Sequence, residues 1–398
     1  MRLPSLLALL GLTALLSAQA QTTGPDGDAD AAARRALYAQ CGAVEATALP
    51  QGVTVGVYRG TLGTQRVTLE LTRDGGEQQS EHPDRYSYDR YGLDIALTRG
   101  RPTNRTAVYA LAAVEAVFTG DGQVARGCLD LSADGTGLRG QWRSPDGRTR
   151  LHVTLNRVDA ARVPLALPSS PGLLNLRSSD PYTFLKLDRP WQKVTGGLKE
   201  PLTGVTYPRV QGGSAALNAA LQDLQLKLVT SAFDCRGGYG TNLENGTDFT
   251  GSGTLSWQSA SLVSLHEDAQ YFCGGAHPDA YTSGVTLSAR TGRPVPLAAQ
   301  PGAVWPALNA PKLQALYLAA YPSGGDTADC RDLLASAEGR AGDPLPYELY
   351  LTRAGLAVWP NFLPHVALAC AEVVTVPYAK LRALANSAGA SFRDLYPR

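Results

Sequence analysis

Over residues 53–158 apolar and polar positions alternate in short runs: Val67, Leu69 and Leu71; Leu93, Ile95 and Leu97; residues 128–131; Leu151, Val153 and Leu155. A period of two puts every second side chain on one face, the signature of a half-buried strand. Asp74-Gly75, Asp121-Gly122, Asp134-Gly135 and Asp146-Gly147 separate the runs, and Asp-Gly supplies the positive backbone angles of tight hairpin turns. The pattern predicts about eight short antiparallel strands. They would close residues 35–158 into an antiparallel β-barrel or a sandwich. Ahead of them, residues 21–34 are small and polar and read as a flexible lead-in.

Residues 163–181 hold four prolines and several serines without periodicity, so residues 159–180 are expected to be an ordered spacer between two domains. Beyond it the pattern mixes. Ser214 is placed to cap a helix that carries Leu217, Leu221, Leu224 and Leu228 on one face. Leu255, Trp257, Val263 and Leu265 share one parity on a strand run ending near Cys273, and Val285 and Leu287 lead into a turn at Arg290-Thr291-Gly292. A helix over 311–321, a hairpin over 347–358 turning at Ala354-Gly355, a strand over 373–376 and a helix from Ala379 follow. Strands and helices do not alternate strictly, which predicts a mixed α+β domain over 181–398. The fold class is two-domain, β then α+β.

Composition narrows the class. Of 398 residues 44% are apolar and 18% charged, as in globular proteins. The 42 glycines and 26 prolines punctuate the chain too often for a helical bundle. Lys plus Arg is 36 against 35 acids. That balance argues against a dedicated nucleic-acid or anionic-membrane binder, because affinity for phosphate grows with the number of neutralising cations. Arg2, an apolar run over 6–16 and Ala18-Gln19-Ala20 have the order of a secretory leader, expected to span 1–20 and to be cut after Ala20. A helix over that run rises about 16 Å, roughly half a bilayer core, and no later segment is apolar enough to span. The expected address is therefore periplasmic or secreted, with no membrane span after leader removal. Cys41, Cys128, Cys235, Cys273, Cys330 and Cys370 are even in number with no C-x-x-C spacing, which favours disulfides over zinc. Cys41 and Cys128 are alone in the first domain and so pair. The other four leave three pairings open, of which bonds between sequence neighbours are preferred.

Five histidines exist. His82, His152 and His266 read as surface residues. His277 follows Cys273-Gly274-Gly275-Ala276, where two glycines permit a backbone path closed to other residues and an imidazole can bond nearby carbonyls. A structural turn histidine would account for it. With Asp279 and His365 it would instead form a polar cluster able to hold a ligand or orient a proton. Gly274, Gly275, His277, Asp279 and His365 are thus the candidate ligand-binding residues. Asp26, Asp28 and Asp30 open with calcium-loop spacing, but Ala31 and Leu37 stand where Gly and Glu are required. No G-x-S-x-G, H-E-x-x-H, Walker or dinucleotide-binding motif is present. No catalytic residue, metal or cofactor is assigned. Tyr86, Tyr88 and Tyr91 could stack on a sugar ring, although cross-strand packing explains them equally well.

Residues 271–277 (Tyr-Phe-Cys-Gly-Gly-Ala-His), then Tyr281 and the strand ending in Ala289-Arg290-Thr291-Gly292-Arg293, resemble the GGAH, strand, KTG stretch of the bacterial extracytoplasmic domain of unknown function 3298. Residues 351–356 and 374–381 resemble that domain's closing hairpin and final strand and helix. The likeness spans residues 181–390, and the family includes parts of the lysozyme-sensing anti-sigma factor RsiV and the peptidoglycan deacetylase PdaC. This chain departs from both: it shows neither an anti-sigma factor's membrane span nor a deacetylase's metal-binding domain, and it has four cysteines in the region. The resemblance implies an exported, non-catalytic recognition module of the cell envelope, taking a cell-wall glycan such as peptidoglycan or a protein such as lysozyme. The alternatives are an envelope hydrolase using His277, Asp279 and His365, or a purely structural envelope protein. In the first domain, Tyr58-x-Gly60 and Gly140-x-Trp142 resemble small exported lipocalin-like barrels.

Overall fold

The structure is a computed structural model that describes residues 25–75, 83–104, 111–119, 122–237, 248–274, 277–322, 327–336 and 347–397, without the side chains of 25–30, 116–119, 122–123, 327–328, 336 and 365. The expected leader, His82 and Gly275 lie outside the described residues. The chain enters as helix α1 (Pro25–Gln40) and strand β1 (Ala43–Glu45). Eight strands follow: β2 (Gly56–Leu62), β3 (Gln65–Leu71), β4 (Asp84–Tyr88), β5 (Asp94–Pro102), β6 (Leu111–Thr119), β7 (Gly122–Asp134), β8 (Gly137–Arg143) and β9 (Arg150–Arg157). Each pairs antiparallel with its chain neighbour, and β9 returns to β2, so the eight close an up-and-down barrel. Closure leaves neither edge unpaired, which an open sandwich could not do. The alternating residues do what their parity predicts: Leu69, Leu71, Leu97, Leu129, Val153 and Leu155 pack together inside.

Gly60 and Gly140 mark where strands approach closely. A Cβ at Gly60 would stand 1.8 Å from the Thr154 carbonyl oxygen, and one at Gly140 1.9 Å from that of Asp130. Each therefore has to be glycine.

The expectation of a flexible lead-in through residue 34 is corrected, because the chain is helical from Pro25. The alanine-rich stretch before Leu37 has high helix propensity. The helix is also anchored, since Leu37, Tyr38 and Cys41 bury with Ala43, Ala112, Val114, Ala125 and Cys128 on the outside of the barrel. Cys41 and Cys128 form a disulfide there, as their isolation in the first domain required.

Beyond β9 come a 3-10 turn (Ala160–Arg162), α2 (Pro171–Ser179), α3 (Pro181–Leu187), short strands β10 (Gln192–Val194), β11 (Gly197–Lys199) and β12 (Thr206–Pro208), and the long α4 (Ala215–Gly237). Strands β13 (Asp248–Gln258), β14 (Leu262–Phe272) and β15 (Asp279–Ser288) complete a six-stranded sheet ordered β10-β11-β12-β13-β14-β15. Then follow α5 (Ala310–Ala320), α6 (Thr327–Ser336), β16 (Tyr347–Leu351), β17 (Gly355–Pro360), a 3-10 helix (His365–Cys370), β18 (Val374–Pro377), α7 (Tyr378–Leu381) and α8 (Ala390–Leu395). Strands β16, β17 and β18 form a separate sheet. This is the expected α+β composition.

Ser214 caps α4 by accepting from the Leu217 amide at 3.1 Å, and Leu217, Leu221 and Leu228 pack on Val263, Leu265 and Ala269. The single run expected to end near Cys273 is two strands. Ser259 accepts from the Ser261 and Leu262 amides and folds the chain back, as a serine hydroxyl near backbone donors does. The remaining cysteines pair between sequence neighbours, Cys235 with Cys273 and Cys330 with Cys370.

The expected spacer at 159–180 is folded and packed. Leu167 and Leu173 bury in the same cluster as Val57 of the barrel and Phe184 of α3. Ser170 caps α2 by accepting from the Leu173 amide, and Pro171 fits its first turn because no intrahelical donor is needed there. Two of the four prolines, Pro171 and Pro181, start helices.

Candidate functional site

Along β14 the residues facing α4 are apolar at Val263, Leu265 and Ala269, and Glu267 and Tyr271 share their parity. The antiparallel register sets Ser283 opposite Glu267, Tyr281 opposite Ala269 and Asp279 opposite Tyr271. Paired residues share a face, so β15 brings Asp279, Tyr281 and Ser283 beside Glu267 and Tyr271. β15 is also the edge of its sheet, and the β16–β17 hairpin packs beside it. Glu348 Oε2 accepts from the Gly284 amide at 3.1 Å and the Ser283 hydroxyl at 3.4 Å. Its Oε1 accepts from Asn361 Nδ2 at 2.8 Å.

These elements enclose a cleft of about 480 Å³, floored by Glu267, Tyr271, Asp279 and Tyr281, with Lys227 of α4 on one wall and Glu348 and Trp359 on the other. Tyr207 donates its hydroxyl to Glu267 Oε1 at 2.6 Å. Burial raises the Glu267 carboxyl above the ordinary carboxylate range; Tyr207 and Lys227 oppose the rise and Glu348 adds to it. Burial, then the charge of Glu267, pushes the Tyr281 hydroxyl up as well. Tyr271 donates to Asp279 Oδ2 at 3.3 Å, and Oδ1 accepts from the Ala280 amide at 2.8 Å. The Tyr271 and Tyr281 rings sit 6.3 Å apart at a tilt. Aromatic faces with fixed acceptors between them suit a ligand that is apolar on its faces and rich in hydroxyl or amine donors at its edge. Among the described residues no three His, Cys, Asp or Glu side chains gather as a metal site.

The residues expected at the site fall in different places. Asp279 lies in the cleft. Gly274 adopts φ 92°, a conformation reserved for glycine, next to the Cys235–Cys273 disulfide that ties the end of β14 to α4. His277 is exposed beyond it, its Nδ1 3.0 Å from the Pro278 carbonyl oxygen. His365 begins the 3-10 helix whose Leu368 lines the cleft; its side chain is not among those described. His266, expected at the surface, is half-buried: its Nε2 lies 3.2 Å from Asp268 Oδ2 and its ring 4.7 Å from that of Tyr350. The three tyrosines of the barrel hairpin do not form one stacking surface, since Tyr86 is inside the barrel and Tyr91 is 56% exposed.

Sequence reasoning missed Lys227, Glu267, Glu348 and Trp359. Glu267 left a signal, a carboxylate on the apolar parity of Val263 and Leu265. Glu348 and Trp359 left none, because only tertiary packing brings that hairpin to β15.

No family model matches the chain, and no curated protein matches it. Among solved structures it is similar to a DUF3298 family protein from Pseudomonas aeruginosa PAO1, at 19% identity and a TM-score of 0.26 over 35% of this chain. It is similar also to a member of the same family from Bacteroides fragilis, at 16% identity and a TM-score of 0.28 over 45% of this chain. The chain spans 63% of the first protein and 68% of the second. Both carry the name of the family that the C-terminal motifs resemble, and neither likeness assigns a residue of the cleft.

Proposed function

We propose that this protein is an exported envelope-binding module that holds a cell-wall glycan fragment in the cleft between α4, β15 and the β16–β17 hairpin, without altering it chemically. The observation that carries this reading is the grouping of Tyr271, Tyr281 and Trp359 with Glu267, Asp279 and Glu348 in one cleft. Rings stack on sugar faces while carboxylates accept from hydroxyls. The three disulfides fit an oxidising, extracytoplasmic address. Among the described residues no helix is long and apolar enough to cross a membrane. In this reading the leader is removed after Ala20, the barrel and the α+β region are the two domains, and Gly274, His277 and His365 belong to the rim around Asp279.

The test is calorimetric titration of the purified protein with soluble peptidoglycan fragments and with lysozyme, with chromatography for released products. Loss of a stacked ring is worth about 0.5–1.5 kcal/mol, so Trp359→Ala should weaken glycan binding several-fold, while His152→Ala should bind as wild type. Affinity for lysozyme alone would replace the glycan with a protein ligand. Turnover abolished by Glu267→Gln would make the protein a hydrolase, and no association with either partner would sink the proposal.

A further inference from the structure

We propose that a second pocket, where the barrel meets α3, binds an oxyanion of about two negative charges, the phosphate of a phosphomonoester. The pocket holds about 430 Å³ and is lined by Arg59 of β2, Arg66 of β3, Arg90 after β4 and Arg189 after α3, together with Asp89 and Asp188. Four guanidinia against two carboxylates leave an excess of two positive charges.

Asp89 is already engaged through both oxygens, whereas Asp188 is engaged through one and its Oδ2 is buried without a partner among the described residues. Asp89 Oδ1 accepts from the Thr68 hydroxyl, while Oδ2 lies 3.6 Å from both Arg59 and Arg66. Asp188 Oδ1 accepts from the Ala166 and Leu167 amides, and no arginine pairs with it among the described residues. Two of the guanidinia are held in place by backbone. Arg59 Nη2 donates to the Leu185 carbonyl at 3.1 Å, and Arg189 donates to the carbonyls of Lys186 and Asp89. Consecutive carbonyls at the end of α3 thus hold two like charges side by side. Burial, with Arg59 adding to it, lowers the Arg189 guanidinium from its ordinary value, against the pull of Glu200 and Asp89. An anion between the two heads relieves that repulsion. Arg66 and Arg90 stand at the mouth, Arg66 with 77% of its side chain exposed and Arg90 near the Tyr91 ring, 5.3 Å from its centroid. Forks held by carbonyls inside and exposed ones outside suit multidentate capture of phosphate oxygens.

The full chain is titrated with inorganic phosphate and with glycerol 1-phosphate at constant ionic strength, with acetate as the monoanion control. Phosphatidic acid vesicles, read by co-sedimentation, separate a lipid-borne phosphate from a soluble one. Arg66→Gln and Arg90→Gln test the site because neither guanidinium is buried in the fold, and unchanged melting temperatures confirm this. Each should weaken phosphate binding about tenfold, the loss of one charge-assisted contact. Arg353→Gln, in the β16–β17 turn, should have no effect. Phosphate and acetate binding equally weakly, or the Arg66→Gln/Arg90→Gln double variant binding as wild type, would overturn the proposal.

Discussion

Inside the barrel Glu115 is 5% exposed and accepts from the Tyr86 hydroxyl at 2.6 Å and from the Trp142 indole nitrogen. Burial raises its carboxyl above the ordinary value, although both donors favour the ionised form. A carboxyl with a raised folded pKa stabilises the fold fully below its unfolded pKa of about 4.3, and that contribution is lost as pH rises through the folded value. Glu115→Gln keeps an acceptor of the same shape and removes the charge. Its melting temperature should exceed the wild type's at pH 8 and converge with it near pH 4; a constant offset at every pH would show that the carboxyl does not titrate on unfolding. The Arg99–Asp84 pair behaves differently, because the two side chains, 1% and 0% exposed, meet through two hydrogen bonds of 2.9 and 2.7 Å. Arg99 also donates to the Thr47 and Thr72 carbonyls. Arg99→Leu strands a buried carboxylate and should cost about 3–5 kcal/mol in urea denaturation. A loss below 1 kcal/mol would show that the pair contributes little to the stability of the barrel.

At the level of elements, α1 packs on the barrel through a small cluster, to which the helix contributes Leu37 and Tyr38 among the described side chains and Cys41 is added just beyond its end. The Cys41–Cys128 bond closes 87 residues of chain, worth about 4.6 kcal/mol in the chain-entropy model. A Cys41→Ala/Cys128→Ala variant should therefore retain the barrel and lose hydrogen-exchange protection first in α1. Equal loss across β2–β9 would show that the helix belongs to the barrel's cooperative unit. The barrel's strands were legible because parity and Asp-Gly turns both have a local cause, and the α4 cap and leucine face were legible for the same reason. The helix at Pro25 was not, because its fixing contact is a disulfide to a strand far along the sequence. The fold at Ser259 was hidden too, since Leu255, Trp257, Val263 and Leu265 keep one parity through the turn, and the β-bulge between Leu255 and Trp257 leaves no local mark. In the cleft, Asp279 was found through its neighbouring glycine turn, whereas the hairpin opposite supplies Glu348 and Trp359 through packing that no local pattern records.

For the whole molecule, the decisive contacts run between barrel and α+β region. Asp94 of β5 accepts from Tyr182 at 2.8 Å and from Lys186 Nζ at 2.7 Å, both on α3. Arg85 of β4 reaches Asp94 at 3.3 Å and Asp180 at 3.5 Å, and its guanidinium lies 4.3 Å from the Tyr182 ring centroid. Lys186 is 3% exposed, with its amine 4.1 Å from the Phe233 ring of α4. Burial lowers the Lys186 ammonium even though Asp94 pulls the other way. Removing Asp94 leaves that cation without its acceptor inside the protein, a loss of about 3–5 kcal/mol for a broken buried pair. Because the group joins both regions, Asp94→Ala should lower one shared melting transition rather than shift the barrel alone. A lysine with a lowered folded pKa gains stability as pH rises toward its unfolded value of about 10.4, so the deficit should narrow between neutral and alkaline pH. In a Trp142→Phe background, which silences the barrel's tryptophan on β8, Trp191 and Trp305, buried in the two clusters of the α+β region, report that region by fluorescence, and hydrogen exchange in β2–β9 reports the barrel. Separate transitions in that background, with only the barrel's displaced by Asp94→Ala, would show that the two regions fold independently despite the ions they share.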